Sequence, residues 1–180
     1  ATRPPASSFL GSTVFSILSR IDEERDDAME FRELTTDQEI LAAFLLMSQL
    51  RDRIREDTFL AEVRREQAEG YRLCGGFEGD RLVALAGVRQ THTLARGEHL
   101  FVDDLVTLAE ERGKGHGKAL LAWLAARAGA EGIRRIHLDS RSTARGFYEK
   151  IGFTFSTSLP CSVDVNDPTL RPRKEESAGG

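Results

Sequence analysis

The sequence predicts a mixed α/β domain: two helical segments, a hairpin, then strand, helix, strand, helix and strand. Three observations carry this reading. Apolar residues recur at three-to-four spacing from residue 36 and again from residue 57. Two short strand-like runs flank Glu78-Gly79-Asp80, a tight-turn sequence. An apolar run, a glycine-rich turn and a further helical pattern then follow between residues 100 and 128.

Each element has a local cause. Residues 29–34 alternate apolar and charged side chains, as a half-buried first strand does. Thr36 or Asp37 can cap a helix, with Glu39 in its first turn and Ile40, Leu41, Phe44, Leu45 and Met47 repeating along one side. The charged stretch 51–56 separates it from a second helix that starts at Asp57, turns Phe59, Leu60 and Val63 to one face and stops at Gly70. Residues 71–77 and 82–88 form the hairpin, and residues 100–108 are a further apolar strand. Leu120, Leu121, Leu124 and Ala128 mark a third helix, bracketed at its end by Gly129 and Gly132. Residues 133–138 read as a buried strand, 144–150 as a short helix and 153–165 as strand material.

Composition bounds the function. At 180 residues the chain is long enough for one domain with its own core. A hydrophobic share of 40% and a charged share of 30% fit a globular protein. The net charge of −4 excludes a strongly basic nucleic-acid binder. No apolar run approaches the roughly 20 residues that a membrane-spanning helix needs. Two cysteines, Cys74 and Cys161, make neither a disulfide framework nor a four-ligand zinc site, and a reducing, cytoplasmic setting fits them. Cys74, inside a strand, reads as a small buried hydrophobe. His92, His99, His116 and His137 show no metal-ligand spacing, so no metal is expected, and His116 reads as a loop residue whose backbone matters. Trp123 reads as a packing residue. Residues 1–28 open on Pro and Ser and end in an acidic run. With no small-residue cleavage site before that run, they read as a flexible or appended extension rather than a targeting segment. The domain is expected over 29–165, with a polar tail over 166–180.

The chemistry concentrates in the glycine-rich turn. Gly113, Gly115 and Gly117 alternate with Lys114, His116 and Lys118 just before a helix. Glycines let a ligand approach the backbone, and unpaired N–H groups at a helix start favour an anion. With Arg112, Lys114 and Lys118 alongside, the segment suits a phosphate or pyrophosphate. Ala119 stands where a P-loop needs Ser or Thr, and Arg112 where it needs its first Gly. The dinucleotide fingerprint fails at Lys118, where its third glycine belongs.

The spacing resembles the acyl-CoA loop of the GNAT N-acetyltransferase superfamily. That loop runs Arg or Gln, two residues, Gly, one residue, then Gly or Ala, and Arg112-Gly113-Lys114-Gly115-His116-Gly117 matches it in full. A second family signature is Ala, two residues, an aromatic, Tyr, three residues, then Gly-Phe. Ala144-Arg145-Gly146-Phe147-Tyr148-Glu149-Lys150-Ile151-Gly152-Phe153 carries it. The resemblance is sharp over 101–155 and rests on element order alone over 29–100.

The resemblance implies a central mixed, mostly antiparallel sheet flanked by helices, with its fourth and fifth strands splayed around a bound acetyl-CoA and no metal. Leu105, Val106 and Thr107 would bond the pantetheine like an added strand. Amides of Arg112, Gly113, Lys114, Gly115, His116, Gly117 and Lys118 would hold the pyrophosphate. Tyr148 matches the family's general acid, the bland alternative being a ring that packs beside Phe147. Asp103 matches an acidic position some members use to deprotonate the amine, Asp104 is its neighbour, and either is open as the base; His99 is a weaker candidate. Adjacent on a strand, Asp103 and Asp104 are expected to face opposite ways, one lining the cleft and the other tied to structure. Where the family often has Asn, this chain has Arg141; the hydroxyls of Ser140, Ser142 and Thr143 are candidate replacements for that cofactor contact, Ser142 foremost, and Arg141 reaching a phosphate is the alternative. The function implied is acetyl transfer from acetyl-CoA to a primary amine on a small molecule or peptide, by direct attack in a ternary complex. The alternative is a non-catalytic acyl-CoA-binding regulatory module of the same fold. Neither nucleic acid nor membrane is an expected partner, and the last strand would offer an edge for a homodimer.

Overall fold

The computed structural model describes residues 29–158 and 161–166. The extension before residue 29 and the tail beyond residue 166 lie outside the described residues. The chain divides into two compact units between Leu138 and Asp139.

The first unit is built on a five-stranded sheet in the order β1-β2-β3-β4-β5. Strand β1 (Glu30–Glu33) pairs antiparallel with β2 (Tyr71–Glu78), β2 with β3 (Arg81–Thr93), and β3 with β4 (Gly97–Thr107). Strand β5 (Ile136–Leu138) lies parallel to β4. A parallel neighbour needs a crossover, which α4 (His116–Ala130) supplies. This is the mixed, mostly antiparallel sheet that the resemblance implies.

Local chemistry sets the ends of the elements. Thr36 caps α1 (Asp37–Ala42) in a capping box: its hydroxyl accepts from the Glu39 N–H, and the Glu39 carboxylate accepts from the Thr36 N–H at 3.0 Å. The helical run after Thr36 breaks at Ala43 into α1 and α2 (Phe44–Ser48). Helix α3 (Glu56–Ala68) starts one residue ahead of the expected Asp57. Gly79 and Asp80 form the two-residue turn between β2 and β3, with Gly79 at φ +54°. The next hairpin is longer than the apolar runs suggest, because β3 and β4 continue through the polar stretch from Arg89 to His99. Periodicity of apolar residues cannot see such a stretch.

One face of the sheet carries α1, α2 and α3. Leu34, Ile40, Phe59, Leu73, Leu85 and Val106 belong to the buried cluster between them. Leu120, Leu121, Leu124 and Ala128 form the buried side of α4. Cys74 is buried, and desolvation pushes its thiol up to about 12, so it behaves as the small hydrophobe expected. Trp123 stacks on Phe31 at 6.0 Å, a packing role. No helix of the described residues is long and apolar enough to cross a membrane.

Two strand expectations are corrected. Only Ile136–Leu138 of the run 133–138 is strand; the Ile133 N–H instead closes the end of α4 on the Ala128 carbonyl at 2.9 Å. In the second unit, α5 (Arg145–Lys150) forms as the short helix expected. The described residues of 153–165 form no strand. There Ser156 Oγ accepts from the Ser158 N–H, and Asp164 Oδ1 from the Asn166 N–H, local bonds that compete with a ladder. Val163 and Val165 are exposed, so no apolar face rewards extension. The edge on which a homodimer is expected therefore has no strand among the described residues.

Two outcomes follow from these contacts. The Glu39 carboxyl is lowered from 4.5 to about 2, chiefly by the Thr36 backbone N–H and then by the Thr36 hydroxyl, the Thr35 N–H and Arg32. A depressed acid stabilises the fold above its unfolded pKa, and that stability drains away as pH falls from about 4.5 toward about 2. Chemical denaturation across that window should show a shallower acid loss in Glu39→Gln. At Gly87, an added Cβ would lie 1.9 Å from the Tyr71 hydroxyl. Gly87→Ala is therefore expected to cost about 1–3 kcal/mol, read as a lower denaturation midpoint.

Candidate active site

The β3–β4 ladder slips by one residue. Gly87 pairs with Asp104 and Val88 with Val102, which leaves Asp103 as the extra residue of a β-bulge. The bulge breaks the alternation of β4. Asp104 lies two residues before Val106 on the face that bears α1–α3, and Asp103 turns to that same face. Both carboxylates line one cleft of about 650 Å³, together with Arg51, Glu66, Tyr71 and Arg89. The expectation of opposite faces is thus corrected, because it assumes an unbroken two-residue period.

Each carboxylate is fixed by its own partners. Tyr71 donates its hydroxyl to Asp104 Oδ2 at 2.8 Å, and Arg51 Nε donates to Asp104 Oδ1 at 2.7 Å. Arg51 Nη2 also reaches the Asp103 carbonyl at 2.7 Å, so one guanidinium grips both residues of the bulge. Arg89 donates to Asp103 Oδ2 and to Glu66 Oε2, each at 2.7 Å. These bonds raise the Arg89 pKa, Asp103 contributing most and Glu66 next. Burial, reinforced by the Asp104 charge, raises the Tyr71 phenol far above 10, so it stays a donor. The Asp104 side chain is 10% exposed and that of Asp103 26%. Asp104 is therefore the carboxylate tied into the wall, and Asp103 the one open to the cleft.

Beyond the bulge, no strand of the described residues pairs with the far side of β4. Pairing with β5 covers Leu100, Phe101 and Val102 and stops there. Among the described residues, Asp104 to Thr107 pair through β3 alone. Leu105, Val106 and Thr107 thus lie on a sheet edge that β5 leaves unpaired, where the family resemblance implies pantetheine.

The glycine-rich loop follows a 3₁₀ turn at Ala109–Glu111. Gly113 and Gly115 sit at φ +85° and +98°, and a Cβ on either would meet nothing within 4 Å. Backbone conformation rather than crowding therefore demands glycine, and the space above the loop is open. The first rung of α4 runs from the Ala119 N–H to the Gly115 carbonyl at 3.0 Å. The N–H groups of His116, Gly117 and Lys118 lie ahead of it, where an anion finds donors. Two of the loop's cations face the protein: Lys114 donates to Glu111 Oε2 at 2.5 Å, and Arg112 Nε to the Thr107 carbonyl at 3.4 Å.

His116 differs from its expectation. Its side chain is buried beside Glu111 and Glu78 rather than idle in a loop. His99 is also buried, 1% exposed, with Nδ1 2.8 Å from the Gly97 carbonyl, which removes it from the cleft chemistry.

Tyr148 and Ser142 belong to the second unit. Tyr148 is buried, with the rings of Phe147 and Phe153 at 5.0 and 5.4 Å. Burial raises its phenol above 10. Ser142 opens a 3₁₀ turn that leads into α5, and Ser140 Oγ donates to the Arg141 carbonyl at 2.9 Å.

Sequence reasoning missed Tyr71, Arg89 and Glu66 as cleft residues. The one available signal was Gly87, a glycine inside a strand, which marks a bulge or a close approach.

Comparison with known proteins agrees with this geometry. Residues 29–153 match the model of the Acetyltransferase (GNAT) family. An uncharacterized N-acetyltransferase, YhdJ, of Bacillus subtilis (strain 168) is 34% identical over 136 residues, covering 73% of this chain and 96% of the relative. Glucosamine-6-phosphate N-acetyltransferase from Arabidopsis thaliana superposes with a TM-score of 0.60 at 22% identity, covering 78% of this chain and all of the other. AAC(6')-Iy, in complex with the bisubstrate analogue CoA-S-monomethyl-acetylneamine, gives 0.67 at 17% identity, covering 77% and 99%. At these identities the two structures share the fold with this chain.

Tyr71→Phe removes the hydroxyl that Asp104 accepts from. Loss of a buried bond to a charged group should lower stability by about 1.5–3 kcal/mol in denaturant titration, with far-UV circular dichroism unchanged.

Proposed function

The chain belongs to the GNAT acetyltransferase family, and on that premise we propose that it transfers an acetyl group from acetyl-CoA to a primary amine by direct attack in a ternary complex. The observation that carries this reading is the conjunction on one unit of an open β4 edge, a glycine loop at positive φ and a carboxylate-lined cleft. The carrier supplies the activated thioester, and the protein's part is binding, orientation and proton handling.

The residues divide that work. Leu105, Val106 and Thr107 bond the pantetheine as an added strand. The amides of residues 112–118 take the pyrophosphate, and Ser142 stands in for the Asn that the family often uses. Asp103 receives the proton of the incoming ammonium, directly or through water, while Arg89 holds its Oδ2. Asp104 positions the bulge, with both its oxygens engaged by Arg51 and Tyr71. The nitrogen's second proton leaves to solvent as the tetrahedral intermediate collapses, while Tyr148 donates its hydroxyl proton to the departing sulfur as the C–S bond breaks and is reprotonated from solvent. The cleft lining holds five carboxylates against three guanidinium groups, which favours a cationic amine. The solved neighbours named for glucosamine-6-phosphate and aminoglycoside acetylation fit the same class of acceptor. The free thiols of Cys74 and Cys161 favour a reducing, cytoplasmic compartment.

Calorimetric titration with acetyl-CoA, with NAD and ATP as controls, tests the cofactor. Acetyl-CoA alone should bind, and Gly115→Glu should abolish it by setting a side chain and a negative charge in the loop. Tyr148→Phe should keep acetyl-CoA affinity within about threefold and lower kcat by a factor of about 10². Because burial raises the phenol, kcat should persist until pH rises above 10, with the loss above that absent in the Phe variant. Unchanged turnover in Tyr148→Phe removes the acid role. Acetyl-CoA binding with no turnover on any amine turns the reading to the non-catalytic module. No binding removes both.

A further inference from the structure

Three side chains far apart in sequence converge under the glycine-rich loop. Glu78 ends β2, Glu111 ends the 3₁₀ turn, and His116 opens α4. His116 Nε2 lies 3.5 Å from Glu78 Oε1 and 3.5 Å from Glu111 Oε2, and the three ligand atoms all fall within 4.8 Å of one another. We propose that Glu78, Glu111 and His116 form a site for a divalent transition metal, zinc foremost, which fastens the glycine-rich loop to the sheet.

The imidazole carries the argument. His116 is 6% exposed, and its Nε2 is buried without a hydrogen bond. On the other side of the ring, Nδ1 sits 3.1 Å from the Met29 sulfur. A thioether can only accept, so the proton belongs on Nδ1 and the lone pair on Nε2. That lone pair then faces two carboxylate oxygens, an arrangement that repels unless a positive charge stands between them. Neither oxygen comes within the roughly 2.7–3.2 Å of an ordinary N–H···O hydrogen bond to Nε2. A metal suits the longer spacing. Zinc bonds of about 2.0–2.1 Å to two atoms 3.5 Å apart subtend about 110–120°, close to tetrahedral. One imidazole and two carboxylates suit zinc, whereas magnesium prefers an all-oxygen octahedron.

The surroundings leave room for it. Arg81 Nη1 holds Glu111 Oε1 at 2.8 Å, so Oε2 is the ligand atom. Lys114 shares Oε2, but its side chain is 57% exposed and can turn out to solvent when a metal takes that oxygen. Glu78, 39% exposed, is the adjustable ligand and the route of entry. A bound metal would link β2, the 3₁₀ turn and α4 at the base of Gly113 and Gly115.

The test uses tag-free protein stripped with a chelator, titrated with Zn²⁺ against a chromophoric competitor, with no acyl transfer in the readout. One Zn²⁺ per chain should bind, and Glu78→Gln and His116→Asn should each weaken it by about 10–100-fold. X-ray absorption should report N/O neighbours at about 2.0–2.1 Å, and Mg²⁺ should not compete. Glu78→Gln alters a partly exposed group, so it decides the matter even where His116→Asn fails to fold. Failure to take up zinc, or zinc bound equally well by Glu78→Gln, overturns the proposal. Neither result bears on acetyl-CoA binding, which is measured separately.

Discussion

Between Gly87 and Val88 the ladder of β3 and β4 slips by one residue, and the character of the cleft follows from that slip. Without it, Asp103 and Asp104 would sit on opposite faces of the sheet. With it, both enter one space, 3.8 Å of chain apart, where two adjacent anions would repel unless each met a cation. Arg89 and Arg51 meet them. The Tyr71 hydroxyl takes the second oxygen of Asp104, and it reaches that atom because Gly87 has no side chain in its path. The bulge, the glycine and the three donors form one interdependent arrangement.

The same slip lies next to the place where β5 stops following β4. The last pair, Val102 with Leu138, immediately precedes Asp103. A bulged strand bends and twists more strongly than a regular one, which makes continued parallel pairing harder. The carboxylates and the open edge of β4 are therefore set by one local event. The glycine-rich loop begins only a few residues later, at Arg112, so the edge of β4 left unpaired by β5 and the carboxylate-lined cleft share a single strand as their common wall.

The legibility of the sequence divides along physical lines. The glycine loop was plain, because close backbone approach and positive φ demand a residue that leaves a mark in the letters. The capping box at Thr36 and the turn at Gly79 were plain for the same reason. The Asp103/Asp104 geometry was hidden, since a bulge is a property of two strands together and no single strand announces it. Arg89, Glu66 and Tyr71 were hidden because their partners lie 14, 23 and 33 residues away and only the sheet brings them together. The segment after Phe153 misled, because its scattered valines imitate alternation while its Ser, Pro and Asp content favours local bonding. His116 misled as well: it is buried beside Glu78 and Glu111, and three side chains drawn from three elements carry no spacing that a reader of one strand or one helix would notice.

Trp123 has a consequence of a different kind. It is the only tryptophan of the chain, and the two tyrosines, Tyr71 and Tyr148, are both buried. Its indole stacks on Phe31 of β1 and lies beneath the Arg127 guanidinium at 4.9 Å, so it bridges the outermost strand and the crossover helix. Light emitted by this protein on excitation near the red edge of indole absorption therefore comes from one known junction. Its colour and anisotropy report whether that helix is seated against the sheet, which gives the molecule a built-in optical gauge of its own assembly with no label attached.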